Sequence, residues 1–464
     1  MKSLTALAAL AVFAGSAQAA SVAWRVPVYA DITTAPGIVE RKPLLPAQNT
    51  LEYQVGGEGS FAGYVIGGAA RMDPDASPWP GPLSPYVTKV AALDGHVVWR
   101  WQPDGDLAVE GRIRQVKVDQ ENGSVYAIGF REVAGVRTSL LVKLNGSTGI
   151  PVWRVDGPPG SSGHGVDVGP FGDIVATFYS ANSQFVAMYA LPTGAELWSQ
   201  SIPDASDDWD DFKVSFPKSS FNVLIAGHYA TPLPAAETGV QVAQFDSNGA
   251  TGFSRRYPGP VNSSVGSLDQ IYPSSDGLLN AGGVLKQLDL AGETLWSQQT
   301  GATLPWIAQV LNGTYPTGEA LFIIGDVDTV DSRHLAEIDE LSTVTGESQW
   351  HTQFSDGAPL SAAKALRLGF PDDRLLFAWT SEDVGTPRRM HATGLDYFTH
   401  EILWQVDFGS ADAKNENNPI DIQLAPDNSV FVDALTNEAS AISTATLYKL
   451  AGPFTQKIFA SGFD

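Results

Sequence analysis

Residues 141–153 read LVKLNGSTGIPVW, and the same phrase returns as LKQLDLAGETLW at 285–296 and as RMHATGLDYFTHEILW at 389–404. Each copy has alternating apolar residues, an Asn or Asp, a turn rich in Gly, Thr or Ser, and a closing Trp. Alternation with period two indicates a β-strand, and an Asx–Gly type of turn between two such runs indicates a hairpin. The phrase therefore predicts two antiparallel strands joined by a tight turn, with the Trp on the second strand.

The closing aromatic residue recurs at intervals of 43 to 55 residues along the chain. Each interval contains four short strand signals, as in GRIRQVKVD, SVYAIGF, TSLLVKLN and IPVWRV of the unit that ends at Trp153. Four strands in a repeat of roughly 50 residues are typical of a propeller blade. We expect the aromatic residue to fill the wedge between neighbouring blades. These docking residues are Trp99, Trp153, Trp198, Phe253, Trp296, Trp350, Trp404 and Phe459.

The repeat predicts an all-β chain folded as an eight-bladed β-propeller of four-stranded antiparallel blades. Seven blades is the alternative, because the first unit carries a Pro-rich insertion at 73–86. The N-terminal phrase VAWRVPVY, which contains Trp24, is an extra outer strand that we expect to pair with the last blade and close the ring. The helix-like stretch 360–370 lies where an innermost strand belongs, and the repeat favours the strand.

The first 19 residues have the features of a secretory signal peptide. Lys2 supplies the positive charge, the apolar run at 4–14 is too short to span a bilayer, and Ala17-Gln18-Ala19 is a small-x-small cleavage site. We expect residues 1–19 to be removed and 20–464 to form a single propeller domain in the periplasm or outside the cell. The site lacks the Cys of a lipobox, and no later run of about 18 apolar residues predicts membrane insertion.

The composition limits the partners and the catalytic or metal-binding groups that the chain can have. The chain has 51 acidic and 28 basic residues, and a net charge of −23 disfavours nucleic acid as a partner. It has no Cys, which excludes thiolate catalysis, Cys-ligated zinc, iron–sulfur clusters and disulfides. The expected partner is therefore an envelope or extracellular protein or a small ligand.

The turn-and-Trp phrase resembles the tryptophan-docking repeat of the PQQ-like, or quinoprotein alcohol dehydrogenase-like, propellers, which runs roughly Ala-x-Asp-x-x-Thr-Gly-x-x-x-Trp. The copies that carry the resemblance lie at 144–153, 191–198, 288–296 and 395–404. The resemblance implies a propeller that is either an enzyme with pyrroloquinoline quinone (PQQ) and calcium, or a non-catalytic subunit. The enzymes' adjacent cysteines and their calcium and catalytic-base motifs have no match here. No catalytic residue is therefore carried over, and PQQ is not indicated.

Two acidic segments are candidates for a metal site, because hard cations such as Ca²⁺ bind carboxylate oxygens. Both are expected in loops on the face where blade-to-blade loops and loops between second and third strands meet. They contribute Asp207, Asp208, Asp210 and Asp211 in SDDWDD and Asp326, Asp328 and Asp331 in GDVDTVDS. Neither segment has the EF-hand pattern, and solvated acidic turns are the alternative. Weak Ca²⁺ binding is the one cofactor hypothesis that the sequence supports.

Further polar and aromatic residues are expected in loops on the same face. The stretch SSGHGVD at 161–167 places a His and an Asp in a blade-to-blade loop, but it is not the G-x-S-x-G of a serine hydrolase. The stretch DAKNENNPID at 412–421 is an amide-rich loop that suits hydrogen bonding to sugar or peptide. The candidate ligand-face residues are His164, Asp167, Trp209, Trp306, Asn415, Asn417 and Asp421.

These observations favour a secreted or periplasmic propeller that acts as a non-catalytic scaffold and binds a ligand or protein on its loop face. The alternative is a quinone-dependent or Ca²⁺-dependent enzyme, a dehydrogenase, hydrolase or lyase, on the same propeller. Fold does not decide between them, because propellers host both kinds of protein.

Overall fold

The structure is a computed structural model, and most of residues 21–451 are described. The gaps are at 36–37, 55–61, 72–82, 104–108, 170–171, 181–182, 204–212, 217–221, 231–237, 259–276, 282–283, 290, 300–306, 316–317, 329–332, 370–373, 384–385, 410–416, 426–428 and 439–441. Every regular element in the described part is a β-strand. None of the described residues forms a helix long and apolar enough to cross a membrane.

The first half of the chain forms four antiparallel sheets, which we number in chain order. Sheet 1 consists of β2 (Tyr29–Ala35), β3 (Ile38–Gln54), β4 (Gly63–Arg71), β5 (Leu83–Ala91) and β6 (Val97–Trp101). Sheet 2 consists of β7 (Glu110–Val118), β8 (Ser124–Val133), β9 (Val136–Asn145) and β10 (Pro151–Pro159). Sheet 3 consists of β11 (Ser161–Val168), β12 (Ile174–Ser180), β13 (Ser183–Tyr189) and β14 (Glu196–Pro203). Sheet 4 consists of β15 (Lys213–Ser215), β16 (Val223–Ala230), β17 (Thr238–Phe245) and β18 (Thr251–Pro258).

The second half continues the pattern. Sheet 5 consists of β19 (Gly277–Ala281), β20 (Val284–Leu288) and β21 (Thr294–Gln299). Sheet 6 consists of β22 (Ile307–Tyr315), β23 (Gly318–Asp328), β24 (His334–Leu341) and β25 (Ser348–Phe354). Sheet 7 consists of β26 (Leu360–Gly369), β27 (Arg374–Glu382), β28 (Arg389–Asp396) and β29 (Ile402–Phe408), and is joined to sheet 6 by one parallel pair, His334 with Leu360. Sheet 8 consists of β30 (Asn417–Leu424), β31 (Val430–Glu438), β32 (Ile442–Ala451) and, at its outer edge, β1 (Ser21–Pro27).

These strands confirm the predicted all-β fold, built mainly from four-stranded antiparallel sheets. The described strands fall into eight sets, which is the number of sequence repeats, while the number of blades in the ring stays a prediction. The pairing of β1 with β32 joins the two ends of the chain, as the N-terminal phrase predicts. The helix-like stretch forms β26, so the repeat pattern was the better guide there.

The hydrophobic core lies between neighbouring sheets. Tyr64 and Tyr86 of sheet 1 pack with Phe431 and Leu447 of sheet 8 in one buried cluster. Sheets 6 and 7 pack in the same way through another cluster, which includes Phe377. One strand of a sheet contacts its counterpart in the next sheet, as in β3 with β7, β7 with β11, and β26 with β30. This strand is therefore innermost: it is β3 in sheet 1 and the first strand in sheets 2, 3, 7 and 8.

The geometry that recurs in successive repeats explains the turn and the Trp of the sequence phrase. The indole N–H of Trp99 donates to the carbonyl of Gly146 in the β9–β10 turn of the next sheet, at 2.8 Å. Gly149 in that turn has φ of +71°, and a Cβ there would lie 2.7 Å from the ring of Trp99. The turn therefore needs a glycine both for its backbone conformation and for the close approach of the indole. The same indole bond is made by Trp24, Trp153, Trp198 and Trp296.

Candidate functional site

Two pairs of polar side chains join the innermost strands of sheets 2 and 3. Arg114 on β7 lies with its Nη1 at 2.8 Å from Nδ1 of His164 on β11. A guanidinium only donates, so Nδ1 of His164 is the acceptor. Lys117 on β7 has its Nζ 3.5 Å from a carboxylate oxygen of Asp167 on β11, and the other oxygen accepts the backbone N–H of Phe216 at 2.9 Å. These contacts tie neighbouring sheets together at their inner edge.

A third polar pair joins sheets 7 and 8. Arg367 on β26 donates two N–H groups to the two carboxylate oxygens of Asp421 on β30, at 3.0 and 2.9 Å. Asn417, also on β30, donates its side-chain amide to the backbone carbonyl of Arg388 at 2.6 Å. Bidentate pairing of this kind fixes the position of both partners. Asn417 and Asp421 on β30 therefore hold sheet 8 to sheet 7.

The structure corrects the predicted location of six candidate residues. They lie on strands and not in loops: His164 and Asp167 on β11, Asp326 and Asp328 on β23, and Asn417 and Asp421 on β30. Their segments are rich in Gly, Ser, Asn and Asp, which disfavour strands, but pairing within the sheet overrides that weak preference. At Gly163 a Cβ would lie 2.5 Å from Cγ1 of Ile128, so the close packing of β11 on sheet 2 needs the small residue.

The remaining candidates lie outside the described residues, and their roles stay predictions. They are Asp207, Asp208, Trp209, Asp210, Asp211, Trp306, Asp331, Asn415 and the docking residue Phe459. For Asp326 and Asp328 the structure gives the strand position alone. Within the described ranges, no group of three or more His, Asp or Glu side chains could hold a metal ion. No described residue is therefore assigned to a metal ion.

A polar cluster of three residues of sheet 7 and one residue of the β25–β26 connection was not predicted from the sequence. It consists of Asp356, Ser381, His391 and Asp407, and we call it the His391 cluster. Nε2 of His391 lies 2.7 Å from Oγ of Ser381, and Nδ1 lies 2.7 Å from a carboxylate oxygen of Asp407. Oγ of Ser381 lies 2.8 Å from a carboxylate oxygen of Asp356. The four side chains form a continuous hydrogen-bonded chain from the β25–β26 connection to the outer strand β29.

The register of sheet 7 assembles the centre of this cluster. On β28, His391 is paired with Trp379 on one side and with Asp407 on the other, so the three side chains share one face of the sheet. The ring of Trp379 stacks on that of His391 with centroids 3.8 Å apart and an angle of 18°. His391 is 0 % exposed. Packing and hydrogen bonds together fix the orientation of its imidazole.

Asp356 is an ionised acceptor at one end of the cluster. It accepts from the backbone N–H of Ala358 at 3.1 Å and pairs with Arg389 at 2.9 Å. Burial pushes the pKa of Asp356 up, but the hydrogen bonds from Ser381 and Ala358 and the nearby positive charge outweigh it, so the pKa is lowered. The carboxylate therefore stays charged and holds the single hydroxyl proton of Ser381.

His391 competes for that proton. Asp407 can only accept, so Nδ1 of the neutral imidazole carries a proton and Nε2 is an acceptor. Burial lowers the pKa of His391, while the carboxylates of Asp407 and Asp356 oppose that change only in part. The neutral imidazole is thus favoured in the folded protein. Two acceptors, Nε2 and the Asp356 carboxylate, then face one hydroxyl proton.

The distances in the cluster match those of a hydrolytic Ser–His–Asp triad, but the surroundings do not. Ser381 is only 1 % exposed, so a substrate cannot reach its oxygen. A carboxylate also faces the hydroxyl, whereas a nucleophilic serine must give its proton to the histidine. The exposed end of the cluster is Asp407, which is 68 % exposed. The cluster links sheet 7 to the β25–β26 connection, and its hydroxyl is not arranged for nucleophilic attack.

The His391 cluster could not be predicted from the sequence because its members lie on four separate segments of the chain. The register of sheet 7 and the position of the β25–β26 connection bring them together. One feature points to such a cluster: Ser381 and His391 are polar residues on two strands that are almost entirely buried. A buried polar residue in such a strand needs a partner, which is a reason to look for one.

Comparisons with known proteins agree with the observed architecture. No family model matches the chain, and no curated protein matches it. A europium-containing methanol dehydrogenase is similar in structure, with a TM-score of 0.52, 10% identity and 93% of each chain covered. The Dos1 propeller is similar with a TM-score of 0.51 and 9% identity, over 88% of this chain and 94% of that one.

The fold is a β-propeller. At these identities the likeness concerns the fold alone, so the activity of the dehydrogenase is not transferred. The propeller topology places the β25–β26 and β27–β28 connections, which flank the His391 cluster, at one end of the sheets, the loop face. The turns that receive the docking Trp residues lie at the opposite end.

Proposed function

We propose that this chain is an exported propeller that acts as a non-catalytic scaffold and binds a ligand or partner protein through its loop face. One observation carries the proposal: three of the candidate residues, His164, Asp167 and Asp421, form polar pairs between sheets. Arg114 with His164, Lys117 with Asp167, and Arg367 with Asp421 are engaged in this way. Recognition is then left to the connecting loops, as is common on rigid scaffolds.

The net charge of this chain indicates what kind of surface the partner would have. A net charge of −23 favours a partner with neutral or basic surface and works against nucleic acid. Exposed side chains at the described part of the loop face include Asp383, Arg389 and Asp407, which offer both hydrogen-bond donors and acceptors. These groups suit a protein or a polar small ligand.

Site-specific photo-crosslinking tests the proposal. A crosslinking amino acid is placed at Pro387, in the exposed β27–β28 connection, and at Val344, in the exposed β24–β25 turn at the opposite end. We expect discrete adducts from position 387 in cells that export the protein, and none from position 344. Adducts from 344 alone, or equal adducts from both positions, would contradict binding at the loop face.

The enzymatic alternative rests on one observation, the distances that join Ser381, His391 and Asp407. It is tested by labelling the purified protein with a fluorophosphonate probe, which reacts with activated serines. The scaffold proposal predicts no more label on the native protein than on Ser381→Ala. Label that is specific to Ser381 and lost in His391→Gln would show that the cluster opens to act as a hydrolase.

A further inference from the structure

Asp433 is a buried acid in the sheet that joins the two ends of the chain. It lies on β31, which pairs with β30 on one side and with β32 on the other, and β32 carries the N-terminal strand β1. The residue is 0 % exposed, and neither carboxylate oxygen has a hydrogen-bond partner of normal geometry among the described residues. A charge on Asp433 would therefore lack both water and a partner, which is the most unfavourable environment for a carboxylate.

A second carboxylate lies directly across the strand pair. Asp421 on β30 is the register partner of Asp433. Its two oxygens accept from Arg367 at 3.0 and 2.9 Å, and one of them also accepts the backbone N–H of Ile422 at 2.8 Å. Arg367 thus neutralises Asp421. With Asp433 ionised, the three side chains would carry one uncompensated negative charge.

Other ionisable groups near Asp433 are committed to different contacts. Lys449 lies on the same face of β32, but its Nζ donates to the backbone carbonyl of Ala92 at 3.1 Å and lies 5.4 Å from the centre of the Phe431 ring. From sheet 1, the Tyr64 ring packs on that of Phe431 with centroids 4.1 Å apart, and Tyr86 belongs to the same buried cluster. A tyrosine is neutral at ordinary pH, so it supplies no counter-charge.

A single proton fits the missing charge better than a metal ion. The oxygens of Asp421 are already engaged, so the two side chains would offer a metal only the oxygens of Asp433. Ca²⁺ takes about 6 to 8 oxygen ligands, and a divalent ion would exceed the one charge that is missing. Burial, and then the charge of Asp421, raise the pKa of Asp433 well above its usual range, while the backbone N–H of Ala434 opposes this without making a normal hydrogen bond.

We propose that Asp433 carries a proton in the folded protein, as a neutral carboxylic acid, and that its ionisation at higher pH loosens the sheet that closes the chain ends. The sign follows from proton binding. The unfolded chain loses this proton near the usual value of about 3.9, whereas the folded protein keeps it to a higher pH. The stability that the neutral acid contributes is therefore complete below about pH 3.9 and falls as pH rises toward the folded value.

The test compares melting temperatures of the full-length protein and Asp433→Asn from acidic to alkaline pH. Asparagine has nearly the shape of the neutral acid and cannot ionise. We expect the melting temperature of the unmodified protein to fall relative to Asp433→Asn as pH rises, by a few degrees or more. Glu347→Gln, an exposed acid of sheet 6, is the control and should follow the unmodified protein. Parallel curves for the unmodified protein and Asp433→Asn would overturn the proposal.

A second variant keeps the proposal testable if Asp433→Asn does not fold. Asp421→Asn removes the neighbouring negative charge and frees Arg367, so the fall in melting temperature with pH should become shallower. An unchanged slope would contradict a charge shared between these two acids. Melting temperatures in NaCl, KCl and CaCl₂ at matched ionic strength test whether a metal ion, and not a proton, occupies the site. Stabilisation by one of these metals that disappears in Asp433→Asn or Asp421→Asn would show a metal ion in place of the proton.

Discussion

At the scale of single residues, His400 shows how the docking turn tolerates an exception. It stands where the corresponding turns of sheets 1 to 6 have a glycine, and it adopts φ of +58°, which is uncommon for any residue but glycine. Its ring stacks on the docking residue Trp350 with centroids 4.1 Å apart, and its Nε2 lies 2.9 Å from a carboxylate oxygen of Glu340. The side chain thus gains contacts that offset the backbone strain.

The docking role of Trp296 gives the first prediction. The residue is only 9 % exposed, and its indole N–H donates to the carbonyl of Thr343 in sheet 6 at 2.9 Å. Trp296→Ala should cost roughly 3–5 kcal/mol, because it removes a large buried ring and leaves a cavity. The neighbouring Leu295 is 53 % exposed, and Leu295→Ala should change stability by less than about 0.5 kcal/mol. Urea unfolding of the two variants measures both; equal losses would mean that Trp296 is no wedge residue.

Lys89 gives a prediction about alkaline pH. It is fully buried, and its Nζ donates to the carbonyl of Gly146, the same carbonyl that accepts from Trp99. Burial lowers the pKa of Lys89 to about 8. The folded protein therefore releases the proton at lower pH than the unfolded chain, so stability rises between about pH 8 and the ordinary lysine value of about 10.4.

The comparison of the native protein with Lys89→Met isolates that effect. The variant keeps the length of the side chain and cannot titrate, so its stability should lack this rise. In urea unfolding, we expect the free energy of unfolding of the native protein to rise relative to that of Lys89→Met between about pH 8 and about pH 10. A constant difference over that range would mean that Lys89 keeps an ordinary pKa.

At the scale of elements, we expect the hold of sheet 7 on the β25–β26 connection to depend on the protonation of His391. Because burial lowers its pKa, the neutral imidazole's contribution is complete above the unfolded value of about 6.5 and is lost as pH falls through the lower folded value. His391→Gln keeps a polar side chain but does not titrate. We therefore expect the variant to be less stable than the native protein at about pH 8.

The difference between the native protein and His391→Gln should then shrink on acidification below about pH 6.5. Thermal melting at several pH values measures it, and His96→Gln is a matched control because the His96 side chain is exposed and its ion pair is with Asp94 of the same turn, far from sheet 7 in the chain. A difference that stays constant, or widens in acid, would show that the folded protein does not favour the neutral form of His391.

At the scale of the whole molecule, closure depends on the first strand. β1 pairs with β32, and Trp24 on β1 reaches sheet 1, where its indole N–H donates to the carbonyl of Leu93 at 3.2 Å. The strand therefore links sheets 8 and 1, which are the two ends of the chain. Deletion of residues 21–27 should cost about 3 kcal/mol or more, because it removes the whole pairing with β32 together with the packing of the partly buried Trp24.

The same deletion should also broaden the unfolding transition, because sheets at an open end unfold before the rest. Val22→Ala is the control, since Val22 is exposed on the same strand and its loss should be within about 0.5 kcal/mol. Thermal unfolding followed by two probes, far-UV circular dichroism and Trp fluorescence, makes the comparison. A truncated protein that unfolds with the midpoint and sharpness of the native one would contradict closure by β1.

The sequence by itself determined the fold class, because the signals for it are local. Period-two alternation, the Asx–Gly type of turn and the closing Trp all lie within about 15 residues, and each has one physical reading. In the structure, the repeated phrase gives Gly149 its φ of +71° and supplies the carbonyl that accepts the indole N–H of Trp99. Even the helix-like stretch that forms β26 followed the repeat, since pairing in a sheet outweighs helix preference.

The tertiary structure alone decided which polar residues meet. Ser381 and His391 are 10 residues apart, and Arg367 and Asp421 are 54 apart, so no local pattern relates either pair. Sequence analysis placed Asp421 in a loop, whereas strand pairing set it opposite Asp433 inside the closing sheet. Register decides which side chains share a face, and contact between sheets decides which are removed from water. The candidate sites arise from those two facts, and neither is written in any one segment of the chain.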